Sequence, residues 1–247
     1  MEQKKSFELT SFHLHIIAMA AMLLDHLWIT VVPGNGWMTD IGRIAFPIFA
    51  FMTVEGFFNT KNLKKYVKRL FAFALISEVP FNLVAGGSVF YPVHQNVLWT
   101  FLIGIMLMQM NEKVKNKSVA VRLATGAGTA ALGFILGLVT FTDYNHAGVL
   151  TVLVFYFFRG KSWKHFAAQF VCLWYINTEI LSGFYYPVYI FGMNFEVLRQ
   201  SFAVFALLPV WLYKGKQGFY NKTVKAVYYW FYPAHLFVLW CIKEIIY

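Results

Sequence analysis

The run H15-I-I-A-M-A-A-M-L-L-D-H-L-W28 places a carboxylate and an imidazole, Asp25 and His26, in an otherwise apolar stretch. A titratable base beside an acid can take up and return a proton, which is the work of general acid–base catalysis or of a proton path. On a helix these neighbours point about 100° apart, so they cannot pair with each other and each needs a partner on another element. Charged groups in a membrane segment cost about 2.5–3.5 kcal/mol each, so intramembrane ones mark either a site or a structural pair. Other polar groups in or beside apolar runs are Arg43, Glu78, Asn96, Asp143-Tyr144 and His235. By depth Arg43 suits Asp25, and Glu78 is placed to orient or charge-balance His26.

Each of these has a structural alternative. Arg43 with Asp25 can be a plain ion pair. Glu78 precedes Val79-Pro80 and can satisfy backbone groups freed by the proline. His235, in F-Y-P-A-H-L, can bond a neighbouring helix, and His15 can mark the headgroup boundary. His15 and His26 are eleven residues apart, close to three turns and about 16 Å of rise, with Met19 and Met22 between them on one face. That stripe is expected to line a narrow passage from one end of the helix towards the other.

The elements that must hold these groups follow from composition. Hydrophobic residues make up 59% of the 247, with 27 Phe, 14 Tyr and 8 Trp, while charged residues make up 13%. Soluble domains carry about 25% charged residues, so the chain reads as a polytopic membrane protein. Mean hydropathy is +0.57. The net charge of +10 comes from clusters between apolar runs rather than from one basic face, which excludes a nucleic-acid binder. Cys172 and Cys241 lie in apolar runs and are expected to be packing residues. No small-residue cleavage site follows the first run, so it is expected to stay as a helix.

Apolar runs place nine spans near 12–32, 40–58, 66–85, 96–110, 119–139, 146–158, 164–180, 196–213 and 226–245, in an all-α membrane helix bundle forming one domain over 1–247. Lys4 and Lys5 precede the first. Lys61, Lys64, Lys65 and Lys68, then Lys113, Lys115 and Lys117, then Arg159, Lys161 and Lys164, then Lys214, Lys216, Lys222 and Lys225 fall in every second connection. The alternate connections 33–39, 86–95, 140–145 and 181–195 have no Lys or Arg. This alternation predicts a cytoplasmic N-terminus and an external C-terminus in the cell membrane. Gly133 and Gly137 form a G-x-x-x-G step expected to let helices pack closely.

Several stretches resemble the TraX family, integral-membrane proteins linked to N-terminal acetylation of conjugative pilin. They are I-I-A-M-A-A-M-L-L-D-H, then I-G-R-I-A-F-P-I-F-A-F-M-T-V-E-G-F-F-N-T-K-N-L-K-K-Y, then R-L-F-A-F-A-L-I-S-E-V-P-F-N-L, N-V-L-W-T-F-L-I-G, T-D-Y-N-H-A-G-V-L and Y-P-A-H-L. The resemblance covers nearly the whole chain. More distantly the family is similar to type-3 membrane acyltransferases, whose first helix carries Arg, ten residues, then a catalytic His. The matching positions are His15 and His26, so the histidine is kept and a permanent cation gives way to a group charged only part of the time.

The resemblance implies an acetyl-CoA-dependent acetyltransferase with no metal, its acceptor an amine or hydroxyl of a peptide, such as a pilin N-terminus, or of a cell-envelope glycan. His26 would be the base, Asp25 or Glu78 would stabilise its imidazolium, and Arg43 or Asn96 the thioester oxyanion. Lys65, Lys68 and Arg69, with His15, would hold the donor, whose pantetheine arm suits the length of the His15–His26 stripe. Asn96, Asp143, Tyr144 and His235 would face the acceptor. Direct transfer and an acetyl-histidine both fit. The rival readings are a transporter or exporter using the same polar layer, against which no repeat of two halves is evident, and a scaffold without chemistry.

Overall fold

The computed structural model describes residues 8–247; Lys4 and Lys5 lie outside them. Helix α1 (Ser11–Thr30) starts where the backbone N–H of Thr10 donates to His13 Nδ1 at 3.1 Å, a side chain three residues on closing the first turn. Helices α2 (Gly36–Gly42) and α3 (Ala45–Asn59) together form the second apolar segment. The break between them falls at Arg43-Ile44. Pro47 has no N–H for the Arg43 carbonyl four residues back and its ring crowds that carbonyl, which weakens the helix at this point.

Helix α4 (Leu63–Gly86) is capped by Asn62, whose side chain accepts from Lys65 N at 2.9 Å. Helices α5 (Val97–Lys113), α6 (Val119–Val139), α7 (Asn145–Phe157) and α8 (Trp163–Tyr175) follow, and α8 runs on as a π-turn over Ile176–Ile180. A 3-10 stretch Arg199–Ala206 leads into α9 (Leu207–Leu212), and α10 (Lys222–Ile246) closes the bundle. The segments α1, α2–α3, α4 and α6 are each long and apolar enough to cross a membrane. The architecture is a helical bundle, as the apolar runs imply.

The expected span 196–213 is corrected at its start. Residues 196–198 belong to an antiparallel hairpin of β1 (Tyr185–Ile190) and β2 (Met193–Leu198), turning through Phe191-Gly192. Its aromatic and β-branched residues flank a two-residue turn in which both residues have positive φ, at 50° and 77°, the geometry that matches strand twist.

The core is built on α3, α5 and α7, where Ile48, Val54, Ile105, Met108, Val152 and Phe155 are buried. Helix α6 packs at the edge through the expected small residues: a Cβ on Gly137 would sit 2.6 Å from the His146 backbone of α7. Cys172 and Cys241 are free thiols, each half-buried. Helices α1 and α10 run side by side in the same direction. The backbone N–H of Ser11 donates to Lys216 O at 2.9 Å at one end, and Tyr247 Oη donates to Val31 O at 3.2 Å at the other.

Candidate functional site

One face of α1 carries His15, Met19, Met22 and His26, and the facing turns of α10 carry Tyr228, Phe231, Tyr232 and His235. At the first end the His15 ring stacks on Tyr228, centroids 3.7 Å apart and 7° from parallel, while His15 Nδ1 lies 2.7 Å from Ser11 O. Towards the other end His26 Nδ1 lies 2.6 Å from His235 Nε2, and His235 Nδ1 lies 2.6 Å from the Phe231 carbonyl oxygen. The two rings lie 13° from parallel, and Phe231 stacks on the His235 ring at 4.6 Å.

A cavity of about 550 Å³ lies between these faces and α3, α4 and α5. That volume falls within the range of small-molecule sites. His15, Met19 and Met22 line one wall, and Phe231 and Tyr232 line the inner end. Asn59, Thr60, Arg69, Gln217 and Lys225 surround the mouth, on the side of the lysine-bearing connections. The cavity ends one helical turn short of the histidine pair: Met22 precedes His26 by four residues and Phe231 precedes His235 by four, so each pair shares a face. Arg69 lies over the Tyr229 ring at 5.3 Å, with its Nε buried and without a hydrogen-bond partner. Lys65 and Lys68 are exposed and stand outside the lining; Lys225 is the lysine that lines the mouth.

Asp25 turns away from His26. It pairs with Arg43, whose Nη2 reaches both carboxylate oxygens, Oδ2 at 2.5 Å, and it accepts the Thr39 hydroxyl at 2.6 Å. Arg43 also donates to Gln200 Oε1 at 3.3 Å, and Gln200 donates to Asn177 Oδ1 at 2.9 Å. Gly42 permits this contact: a Cβ there would stand 2.4 Å from Asp25 Cβ. Arg43 is thereby occupied at the junction of α2 and α3.

Glu78 is not brought to His26, nor does it satisfy backbone groups near Pro80. Its carboxylate accepts from Asn96 Nδ2 and from Trp99 Nε1, the latter at 2.9 Å. Asn96 also donates to Ala74 O at 2.8 Å and caps α5 by accepting from Leu98 N at 3.1 Å, so its amide is occupied too. Asp143 lies 3.3 Å from His94 Nε2, and the Asp143 carboxylate raises the pKa of that loop histidine. Tyr144, in left-handed conformation at φ 60°, stacks on Phe46 at 4.1 Å.

Four participants escape a reading by depth alone. Tyr228, Phe231 and Tyr232 recur with the candidate His235 at helical spacing, a visible stripe whose facing partner is not readable from α10 itself. His94 meets Asp143 because the connections before α5 and α7 are bridged at Gln95 and Thr142, a pairing without a local signature.

Comparison with known proteins places the chain among relatives. The family model described as TraX protein matches residues 11–243. A probable fimbrial assembly protein FimC, serogroup H1, of Dichelobacter nodosus is 26% identical over 252 residues, spanning 95% of this chain and 96% of that protein. No solved structure matches.

Proposed function

The chain belongs to the TraX family, and from that footing we propose that it is a membrane-embedded acetyltransferase that carries an acetyl group from cytosolic acetyl-CoA to an amine or hydroxyl reached from the external side. It is a multi-pass protein of the bacterial cell membrane. The acceptor belongs to the chemistry of surface structures, either a peptide N-terminus or an envelope glycan. The relative named for fimbrial assembly supports the first.

The observation that carries this reading is the cavity: it opens among Arg69 and Lys225, follows the His15–Met19–Met22 stripe, and stops one turn from His26. A thioester arm is long, thin and largely apolar along its sides, and its phosphorylated end needs cations. In this reading the phosphates lie at the mouth against Arg69 and Lys225, with Lys65 and Lys68 adding long-range attraction. The arm runs along the two methionines, whose flexible thioethers accommodate irregular shapes.

His26 takes a proton from the acceptor as its nitrogen or oxygen attacks the thioester carbonyl. The new C–N or C–O bond forms, the C–S bond breaks, and the proton passes from His26 to the departing thiolate. Asp25 and Arg43 act as a brace that holds the turn carrying His26, while Glu78, Asn96, Asp143 and Tyr144 shape the external approach.

Purified protein in detergent, given acetyl-CoA with a labelled acetyl group and a peptide or amino-sugar acceptor, is expected to release coenzyme A and label the acceptor. Binding alone is expected to raise thermal stability by about 2.7 kcal/mol at a hundredfold excess of coenzyme A over its Kd. A protein that moves an acceptor analogue across vesicles, yet is neither stabilised by coenzyme A nor able to transfer label, would establish the transporter reading instead.

A further inference from the structure

Which nitrogen of His26 is free to take a proton is decided outside α1. A backbone carbonyl oxygen can only accept a hydrogen bond, so the 2.6 Å contact between His235 Nδ1 and Phe231 O requires a proton on His235 Nδ1. A neutral imidazole then carries a lone pair on Nε2. That lone pair faces His26 Nδ1 at 2.6 Å, so the proton between the rings belongs to His26 Nδ1.

The reverse arrangement would need both nitrogens of His235 protonated. That would put a cation on a side chain that is only 8% exposed, stacked on Phe231 and edge to edge with His26, with no carboxylate in hydrogen-bond contact. Such a charge in a membrane interior is costly. His26 is left with Nδ1 protonated and Nε2 bare, and Nε2 has no hydrogen-bond partner among the described residues.

We infer that His235 is a positioning residue that fixes the tautomer of His26 and so makes His26 Nε2 the proton-accepting atom. Free imidazoles in water exchange tautomers. Here the Phe231 carbonyl, through His235, holds one of them. When Nε2 gains the acceptor's proton, His26 becomes an imidazolium whose Nδ1–H still points at His235 Nε2. That contact becomes a charge-assisted hydrogen bond and strengthens at the moment the charge appears. The arrangement does for His26 what a carboxylate does in other histidine bases, with a neutral partner suited to an apolar surrounding. The kinetic consequence rests on the acetyltransferase reading; the tautomer does not.

The test uses full-length protein labelled with ¹⁵N histidine, in lipid or detergent at mildly alkaline pH, with His26 assigned by difference from His26→Gln. Wild type is expected to show His26 protonated at Nδ1 and bare at Nε2. His235→Leu removes the acceptor and is expected to release His26 into the mixture seen for free imidazole. His235→Gln puts an amide oxygen near the former Nε2 position and is expected to keep the wild-type tautomer. In transfer assays His235→Leu is expected to lose about 10–10²-fold in kcat, less than removal of His26 itself, with the KM for acetyl-CoA unchanged, and His235→Gln to recover most of it.

A wild-type His26 carrying its proton on Nε2 overturns the inference. So does a folded His235→Leu that keeps both the tautomer and kcat. Should His235→Leu not fold, the wild-type spectrum and His235→Gln still decide. A wild-type spectrum as expected in a protein without transfer activity would overturn the enzyme reading and leave the tautomer standing.

Discussion

Replacing Asp25 with Asn isolates one charge at the junction of three helices. The asparagine is nearly isosteric and its Oδ1 can still accept the Thr39 hydroxyl, now 2.6 Å from the carboxylate. What is lost is the anion facing Arg43, in a pair whose side chains are 10% and 17% exposed. Removing one partner of a buried pair costs about 3–5 kcal/mol, chiefly because the other charge stays buried without compensation. Arg43 keeps its bonds to Thr39 O and Gln200, each at 3.3 Å, which argues for the lower end of that range. For a chain of this length about 3 kcal/mol corresponds to a fall of about 6–12 °C in Tm. The measurement is thermal unfolding in detergent for Asp25→Asn, Arg43→Leu and the double variant, read as a cycle. The double variant, with no stranded charge, is expected to lie closer to wild type than either single one. Unfolding of Asp25→Asn at the wild-type temperature, or additive losses in the double variant, would refute the view that these residues form a brace.

Other expectations follow from the same geometry. Gly42→Ala is expected to lower Tm by overpacking, at a cost of about 1–3 kcal/mol, because its Cβ would meet Asp25 Cβ at 2.4 Å. His26→Gln is expected to abolish acetyl transfer by about 10²–10⁴-fold while leaving the thermal shift given by coenzyme A in place, since the cavity lining does not include it. Met19→Trp is expected to fill the middle of the cavity and remove that thermal shift. The His94–Asp143 contact supplies a pH dependence. The carboxylate raises the folded-state pKa of His94, so its contribution to stability is complete below the ordinary histidine value of about 6.5 and is lost as pH rises through the folded value. Tm measured across that window is expected to fall more steeply with pH in wild type than in His94→Gln.

Much of the bundle was legible because apolar length is a strong local signal, and the observed helices fall close to the expected runs. The second run is one apolar segment, as expected, and the break within it near Pro47 is a feature that hydropathy does not register. Two departures have physical causes. The hairpin from 185 to 198 stands where the sequence implies partly a loop and partly a helix, because its aromatic and β-branched residues are apolar in any conformation. Glu78 meets Asn96 and Trp99 rather than His26, because depth along a helix is readable from sequence and azimuth is not. Asp25 found Arg43 as expected, since opposite charges at one depth in an apolar medium leave few alternatives. The contact between His26 and His235, 209 residues apart, had no counterpart in local pattern.

The adjacency of Asp25 and His26 now has a geometric reason. Two consecutive residues on a helix face two different neighbours, and α1 is packed between α10 on one side and the α2–α3 junction on the other. Asp25 locks the rotation of α1 against Arg43, and His26, about 100° further round, meets His235 only at that rotation. In the proposed acetyltransferase, a charge pair with no direct part in proton transfer would thereby set the position of the base. Positioning of this kind is sensitive, since a displacement of about 1 Å can cost a hundredfold in rate. The membrane suits the arrangement in another way: Asp25 and Arg43 hold their charges in neutral combination, while His26 faces an uncharged ring. In the proposed acetyl transfer the single net charge would then appear only on His26, and only while the proton is in transit.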